Sequence, residues 1–320
     1  MLDESATDNS ALSATGMGSG RELGPQSSQK SRTLFHYGYW WWALPGLVAV
    51  LGVHYVATFI GASYAFTDFS GLGEANWVGL DNFFKIFNDE EINSSIGNTL
   101  FLAFGFLILT NIIGLLFALA LNRVLKTRYV LRTILFLPVV LAAISVSYIW
   151  RYIFAADGAL NGLLLAFGIS DGTYVWLADP TFARISILIV AVWQNIGMAM
   201  VIYLSGLALV PTEMEEAAML DGAGIWKRFW SITVPMIQPA IAINTTLALT
   251  SGLKIFDQVM ALTNGGPFGA SDTLSTVIYR NTFLYQEYGY GAAIALLFSV
   301  IIFFAAALQM FLTRDRGVNN

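Results

Sequence analysis

The sequence predicts an all-α integral membrane protein with six spanning helices, and three observations carry that prediction. Only 12% of the 320 residues are charged, against about 25% in a soluble domain. The apolar fraction is 56% and mean hydropathy is +0.64, more apolar surface than one soluble core hides. Six stretches are long enough to cross a bilayer, which takes roughly 20 mostly apolar residues at a rise of about 1.5 Å each. These features exclude a cytosolic enzyme, a nucleic-acid binder and a disordered scaffold. A net charge of −5 and a pI near 5.0 leave no basic patch for phosphate backbones. The absence of cysteine removes disulfides, thiolate metal sites and cysteine nucleophiles.

The first stretch runs from Tyr39 to Phe66 and opens on Trp40, Trp41 and Trp42, rings suited to the headgroup layer. The second spans Ile96 to Leu121, the third lies between Arg132 and Arg151, and the fourth spans Ile185 to Val210. The fifth is the charge-free interval between Arg228 and Lys254. The sixth runs from Tyr288 to Leu312 and stops at Arg314 and Arg316. Pro138 and Pro235 fall near the ends of their segments, where a missing amide costs least. Residues 39–313 thus form the membrane domain. Residues 1–38, rich in Ser and Gly and without a short apolar core behind a basic start, read as a flexible tail rather than a cleavable signal. Residues 314–320 form a second tail.

Lysine and arginine fix the orientation. Eleven of the 16 lie in the two tails, the second–third loop and the fourth–fifth loop; Lys85, Arg151, Arg184, Lys254 and Arg280 lie opposite. The richer side is predicted to be cytoplasmic, with both termini inside.

The fourth–fifth connection, 211–235, is too long and too patterned for a plain loop. Pro211, Thr212, Glu213, Glu215 and Glu216 start a helix whose first-turn acids complement its dipole. Ala217, Ala218, Met219 and Leu220 continue it to Asp221. Gly222 and Gly224 then permit a sharp redirection, and Ile225, Trp226, Phe229 and Trp230 return toward the membrane. An amphipathic helix resting on lipid is disfavoured, because the cytoplasmic leaflet attracts basic rather than acidic residues. A cytoplasmic protein partner suits the pattern better.

Here the sequence resembles a known family. Glu216-Ala217-Ala218, three residues to Gly222, and nine more to Ile232-Thr-Val-Pro235 resemble the EAA loop of ABC importer permeases, with Val234 where Leu is usual. Gly79-Leu-Asp-Asn-Phe83, Asn98-Thr99, Arg132-Thr-Ile-Leu-Phe-Leu-Pro138, Trp150-Arg151 with Asp157-Gly158, Trp176-Leu-Ala-Asp-Pro180 and Leu262-Thr-Asn-Gly-Gly-Pro267 resemble the sugar-importing, maltose and glycerol-phosphate permease branch. The resemblance covers about residues 39–313 in family order. It implies the type I importer permease fold and a cytoplasmic coupling helix. Glu215, Glu216, Ala217, Ala218, Asp221, Gly222, Gly224 and Pro235 would then transmit the motion of two cytoplasmic ATPase subunits. It further implies a second homologous permease, an extracytoplasmic solute-binding protein, and a bacterial-type inner membrane. No P-loop pattern occurs in the chain, so ATP and Mg would be bound by the partner ATPases and no cofactor by this chain.

A sugar path wants neutral donors, acceptors and aromatic faces. Segment four offers Trp193, Gln194, Asn195 and Met198; segment five offers Ser251, Gly252, Lys254 and Asp257 in its second half. By resemblance these stretches face the solute. Asn244 is a further path candidate in segment five, whereas Thr245, Thr246 and Thr250 read instead as helix-joining or backbone-bonded groups, and Asn111 as an interhelical contact. Lys254 and Asp257, three apart, would share a helix face. His36 and His54 have no partner pattern, so neither a catalytic nor a metal site is expected. An ion-gradient-driven transporter is the alternative, but the six cores carry no acidic residue for it. A neutral oligosaccharide fits better than an anion, and the sequence does not name it.

Overall fold

The computed structural model describes residues 40–123, 126–169 and 172–313. The two tails, 1–38 and 314–320, lie outside the described residues. Contacts divide the chain into two units at His54 and Tyr55. The first contributes only the beginning of the first apolar helix, α1 (Trp41–Tyr64); all that follows lies in the second.

In chain order the helices are α2 (Asp81–Phe87), α3 (Glu90–Asn122), α4 (Arg128–Val140), α5 (Ala143–Ile153) and α6 (Ala159–Ala166). Then come α7 (Pro180–Leu207), α8 (Thr212–Leu220), α9 (Ile225–Met236) and α10 (Gln238–Leu253). The chain finishes with α11 (Asp257–Leu262), α12 (Leu274–Tyr279) and α13 (Tyr288–Thr313). Four of these, α1, α3, α7 and α13, are long and apolar enough to cross a bilayer alone.

The third and fifth spans correct the sequence reading, which took them as continuous. α4 and α5 meet at 102°, and α9 and α10 at 71°. Pro138 removes an amide from the last turn of α4, after which Leu141 and Ala142 are extended, with ψ of 144° and 132°. At the second break Pro235 and Pro239 flank Ile237. Pro239 has no N–H to continue the helix, yet its fixed φ suits the first turn of a new one.

α3 and α7 form the spine, with α10 packed against both. Leu102, Phe106, Ile187, Val190, Ala191, Ala248 and Val259 fill the space between them. Close approach requires Gly114, where a Cβ would stand 2.7 Å from that of Ala199. Polar ties cross the apolar seams: Tyr203 donates to Asn111 Oδ1 at 2.6 Å, and Asn244 to the Ala199 carbonyl at 3.0 Å. Asn111 is therefore the interhelical contact expected of it. On the opposite face of α3, Phe104, Ile108, Ile112 and Leu116 recur every four residues and are each more than half exposed. Such a stripe belongs against lipid or another membrane chain.

Candidate functional site

The inner elbow is built by local chemistry. α8 starts after Pro211 with Glu213 and Glu215 in its first turn and buries none of its residues. It closes in a Schellman arrangement: the Gly222 N–H donates to the Met219 carbonyl at 3.0 Å and the Ala223 N–H to that of Ala218 at 2.9 Å. Gly222 has φ of +75° and open space where a Cβ would stand, so backbone conformation alone demands glycine there. Gly224 is extended and opens α9, whose Phe229–Thr233 turn is a π-helix leading to Pro235. Glu216, Ala217 and Asp221 are exposed, Glu215 and Ala218 half-buried. Beside the acids stand Leu220, Ile225 and Trp226, the first 91% exposed. Uncovered apolar side chains thus stand beside acids at the turn from α8 into α9.

The second candidate site lies where the broken spans meet α7. The break after α4 leaves helix-end carbonyls without intrahelical donors. The Gln194 amide donates to one of them, Leu141 O, at 2.9 Å, while its own oxygen accepts from Gln258 Nε2 at 3.2 Å. Gln194 is only 5% exposed. Each end of its amide thus makes one bond within the protein. One turn on, Gly197 lets α4 rest directly on α7: a Cβ would overlap the Leu135 carbonyl and lie 2.7 Å from Phe136 Cα.

The other expected path residues divide. Trp193 and Met198 are exposed, Asn195 is half-buried and donates to the Ala191 carbonyl at 2.9 Å. Ser251 and Lys254 are exposed, whereas Gly252 is buried against α3, its missing Cβ 2.9 Å from Ala103 Cα. Lys254 and Asp257 do not share a helix face. α10 ends at Leu253 and Asp257 begins α11, because Lys254, Ile255 and Phe256 form the turn between them. Thr245 and Thr250 donate to their own helix backbone, four residues back; Thr246 also contacts Gln309 on α13.

Two constellations were not found by sequence reasoning. Asp272, with a side chain 2% exposed, takes a two-pronged contact from Arg280 at 2.7 and 2.9 Å, and Arg280 also reaches Glu91 at 2.7 Å. Thr276 donates to Asp272 as well, and Asn98 binds the Asp272 carbonyl at 3.0 Å. Burial opposes the Arg280 charge, but the bonds and fields of Asp272 and then Glu91 outweigh it, so its pKa is raised. This clamp joins the start of α3 to the turn carrying Leu262–Pro267, where Gly265 has φ of +82° and a Cβ would collide with Asp272. The second constellation centres on Asn161, which is 2% exposed. Its Nδ2 donates to the carbonyls of Ala155, Ala156 and Tyr174, and its Oδ1 accepts from Trp176 Nε1 at 3.0 Å. The Trp176-Leu-Ala-Asp motif hinted at order there, but nothing in sequence linked it to Asn161. Among the described residues no group of three His, Cys, Asp or Glu could hold a metal ion.

Comparison with known proteins places the chain in a family. Residues 110–317 match the family model described as binding-protein-dependent transport system inner membrane component. The chain is 31% identical to the probable starch degradation products transport system permease protein AmyD of Thermoanaerobacterium thermosulfurigenes, over 90% of this chain and 99% of that one. It is 34% identical to the multiple sugar-binding transport system permease protein MsmF of Streptococcus mutans, over 86% and 96%. It is also 34% identical to the trehalose/maltose transport system permease protein MalF of Thermococcus litoralis, over 73% and 79%. Its fold matches a chain in the crystal structure of a bacterial ABC transporter that imports alginate, with a TM-score of 0.78, 24% identity and coverage of 87% and 95%. The chain belongs to the binding-protein-dependent transport system inner membrane components, as a non-catalytic permease subunit of an ABC importer.

Proposed function

We propose that this permease subunit carries sugars, neutral oligosaccharides foremost, and that α8 couples it to a pair of cytoplasmic ATPases holding ATP and Mg. A second homologous permease completes the pathway, and an extracytoplasmic binding protein delivers the solute. Both termini then lie in the cytoplasm, in keeping with the lysine and arginine distribution. Trp193, Asn195, Met198, Ser251 and Lys254 border the path, Gln194 positions α7 against the break, and Asp257 begins α11 beyond it. The substrates for which the relatives are named, starch products, multiple sugars, and trehalose or maltose, support the carbohydrate reading.

One observation carries the coupling role: an acid-rimmed helix that buries none of its residues and is joined at both ends to spanning helices. Reversing a two-state equilibrium from 1:99 to 99:1 takes about 5.5 kcal/mol of differential stabilisation. A slack loop could not transmit that, whereas a helix seated in a protein cleft can. Glu216→Lys, at an exposed position, is expected to abolish ATP-driven sugar uptake by the reconstituted complex while membrane insertion stays normal. Uptake at the unmodified rate would defeat the coupling assignment.

A further inference from the structure

A cavity of about 530 Å3 opens where α5 ends beside α11, at the end of the bundle that also holds the start of α7. That volume is within the range of about 300–1,000 Å3 found for small-molecule sites. Its walls present Tyr148, Tyr152, Arg151 and Trp176, and its floor is Phe154 and Leu262, each 2% exposed. No acidic residue lines it. Tyr148 and Tyr152 are four apart on α5, so both rings project from one face, and they are 51% and 79% exposed. Trp176 is pinned through its ring nitrogen to Asn161 and packs against Phe154, Tyr174 and Phe182, so it forms a fixed wall of the cavity. Arg151 is exposed and makes no ion pair among the described residues, so its donors are uncommitted.

Ring contacts also link the cavity wall to α7 through the buried Phe154. Trp176 lies 6.1 Å from Phe154 by ring centroids, Phe154 5.3 Å from Trp150, and Trp150 5.4 Å from Trp193. One row of aromatic rings therefore runs from the cavity wall to the exposed tryptophan of α7.

We propose that this cavity is an entry subsite for a glycosyl unit, resting on the carbohydrate reading above. A sugar ring offers apolar C–H faces to the aromatic walls and vicinal hydroxyls to the Arg151 fork. The exposed tyrosines and the fixed tryptophan bracket it. An interfacial aromatic belt would present the same residue types to lipid, but on a convex surface. Here they surround a hollow with a buried floor.

The test exploits the lack of native cysteine. Ala156→Cys places one thiol at the cavity, at an exposed position outside the proposed contacts, and Leu72→Cys places a control thiol at a residue 84% exposed. Each variant is assembled with its partner subunits in proteoliposomes and treated with a membrane-impermeant maleimide, with maltotetraose, trehalose or lactose as probe. A transported probe should slow labelling of the Ala156→Cys variant about fivefold and leave the Leu72→Cys variant unaffected. Adding Tyr152→Ala or Arg151→Gln should remove the protection. Equal labelling with and without a probe that is being taken up overturns the subsite alone. Failure of the unmodified complex to take up any probe overturns the carbohydrate reading and the subsite with it. Absence of labelling until detergent is added places the cavity against lipid and also overturns the subsite.

Discussion

Replacing Asp272 with alanine tests how the outer clamp holds the fold. The carboxylate is 2% exposed and takes two bonds from Arg280 and one from Thr276. Removing one member of a buried ion pair costs about 3–5 kcal/mol, because the remaining charge is stranded. Arg280 keeps its bond to Glu91, whose side chain is 37% exposed, and is itself 20% exposed. Partial hydration and that second partner bring the expected loss to the lower end, about 3 kcal/mol. Glu287→Gln is the control. It breaks the Lys85–Glu287 pair, whose side chains are 52% and 47% exposed, and should cost about 0–1 kcal/mol. Unfolding is followed by tryptophan fluorescence as SDS is added to mixed micelles. Adding Arg280→Met to Asp272→Ala should recover part of the loss, since the only charge then left without its partner is Glu91, 37% exposed and open to water. Equal midpoints for Asp272→Ala and Glu287→Gln, or strictly additive losses in the double variant, would refute the reasoning.

Further predictions concern the helix breaks and the elbow. Gln194→Leu strands the Leu141 carbonyl and the Gln258 amide, each at about 1–3 kcal/mol, and should lower the same unfolding midpoint; an unchanged midpoint would mean that water replaces the glutamine. Gly197→Val drives a side chain into the α4 backbone, an overpacking of about 1–3 kcal/mol or more, visible as a reduced yield of monodisperse protein from size exclusion. Gly222→Val forces a branched residue to φ of +75°, about 1–2 kcal/mol of local strain. It should cut coupled uptake while the SDS midpoint holds. Gly224→Ala, in extended backbone with open space around it, should leave uptake intact.

Spans and elbow were legible because their signals are local. Charge-free intervals mark spans, and Pro211, the first-turn acids and Gly222 mark a helix, its start and its stop within one short stretch. Breaks were less legible. Pro138 and Pro235 were visible, but a proline near a segment end can be tolerated, and only tertiary contacts such as Gln194 with Leu141 stabilise the bent alternative. Long-range pairs were invisible. Arg280 and Glu91 are separated by 189 positions, and no periodicity relates residues that meet only after the bundle forms. Lys254 and Asp257 failed for the opposite reason: spacing implied a shared face, and the chain stopped being helical between them.

Just beyond the bend at Ile237, Gly206 of α7 lies flush against Ala240 of α10, where an added Cβ would sit 2.7 Å from that of Ala240. Farther along, Asn244 is fastened to the Ala199 carbonyl. α7, the elbow and α10 thus close a triangle whose apex projects from the bundle and whose base is pinned. On the coupling role proposed above, a push on the apex would tilt α7 and α10 together about the Gly206–Ala240 contact rather than slide one past the other.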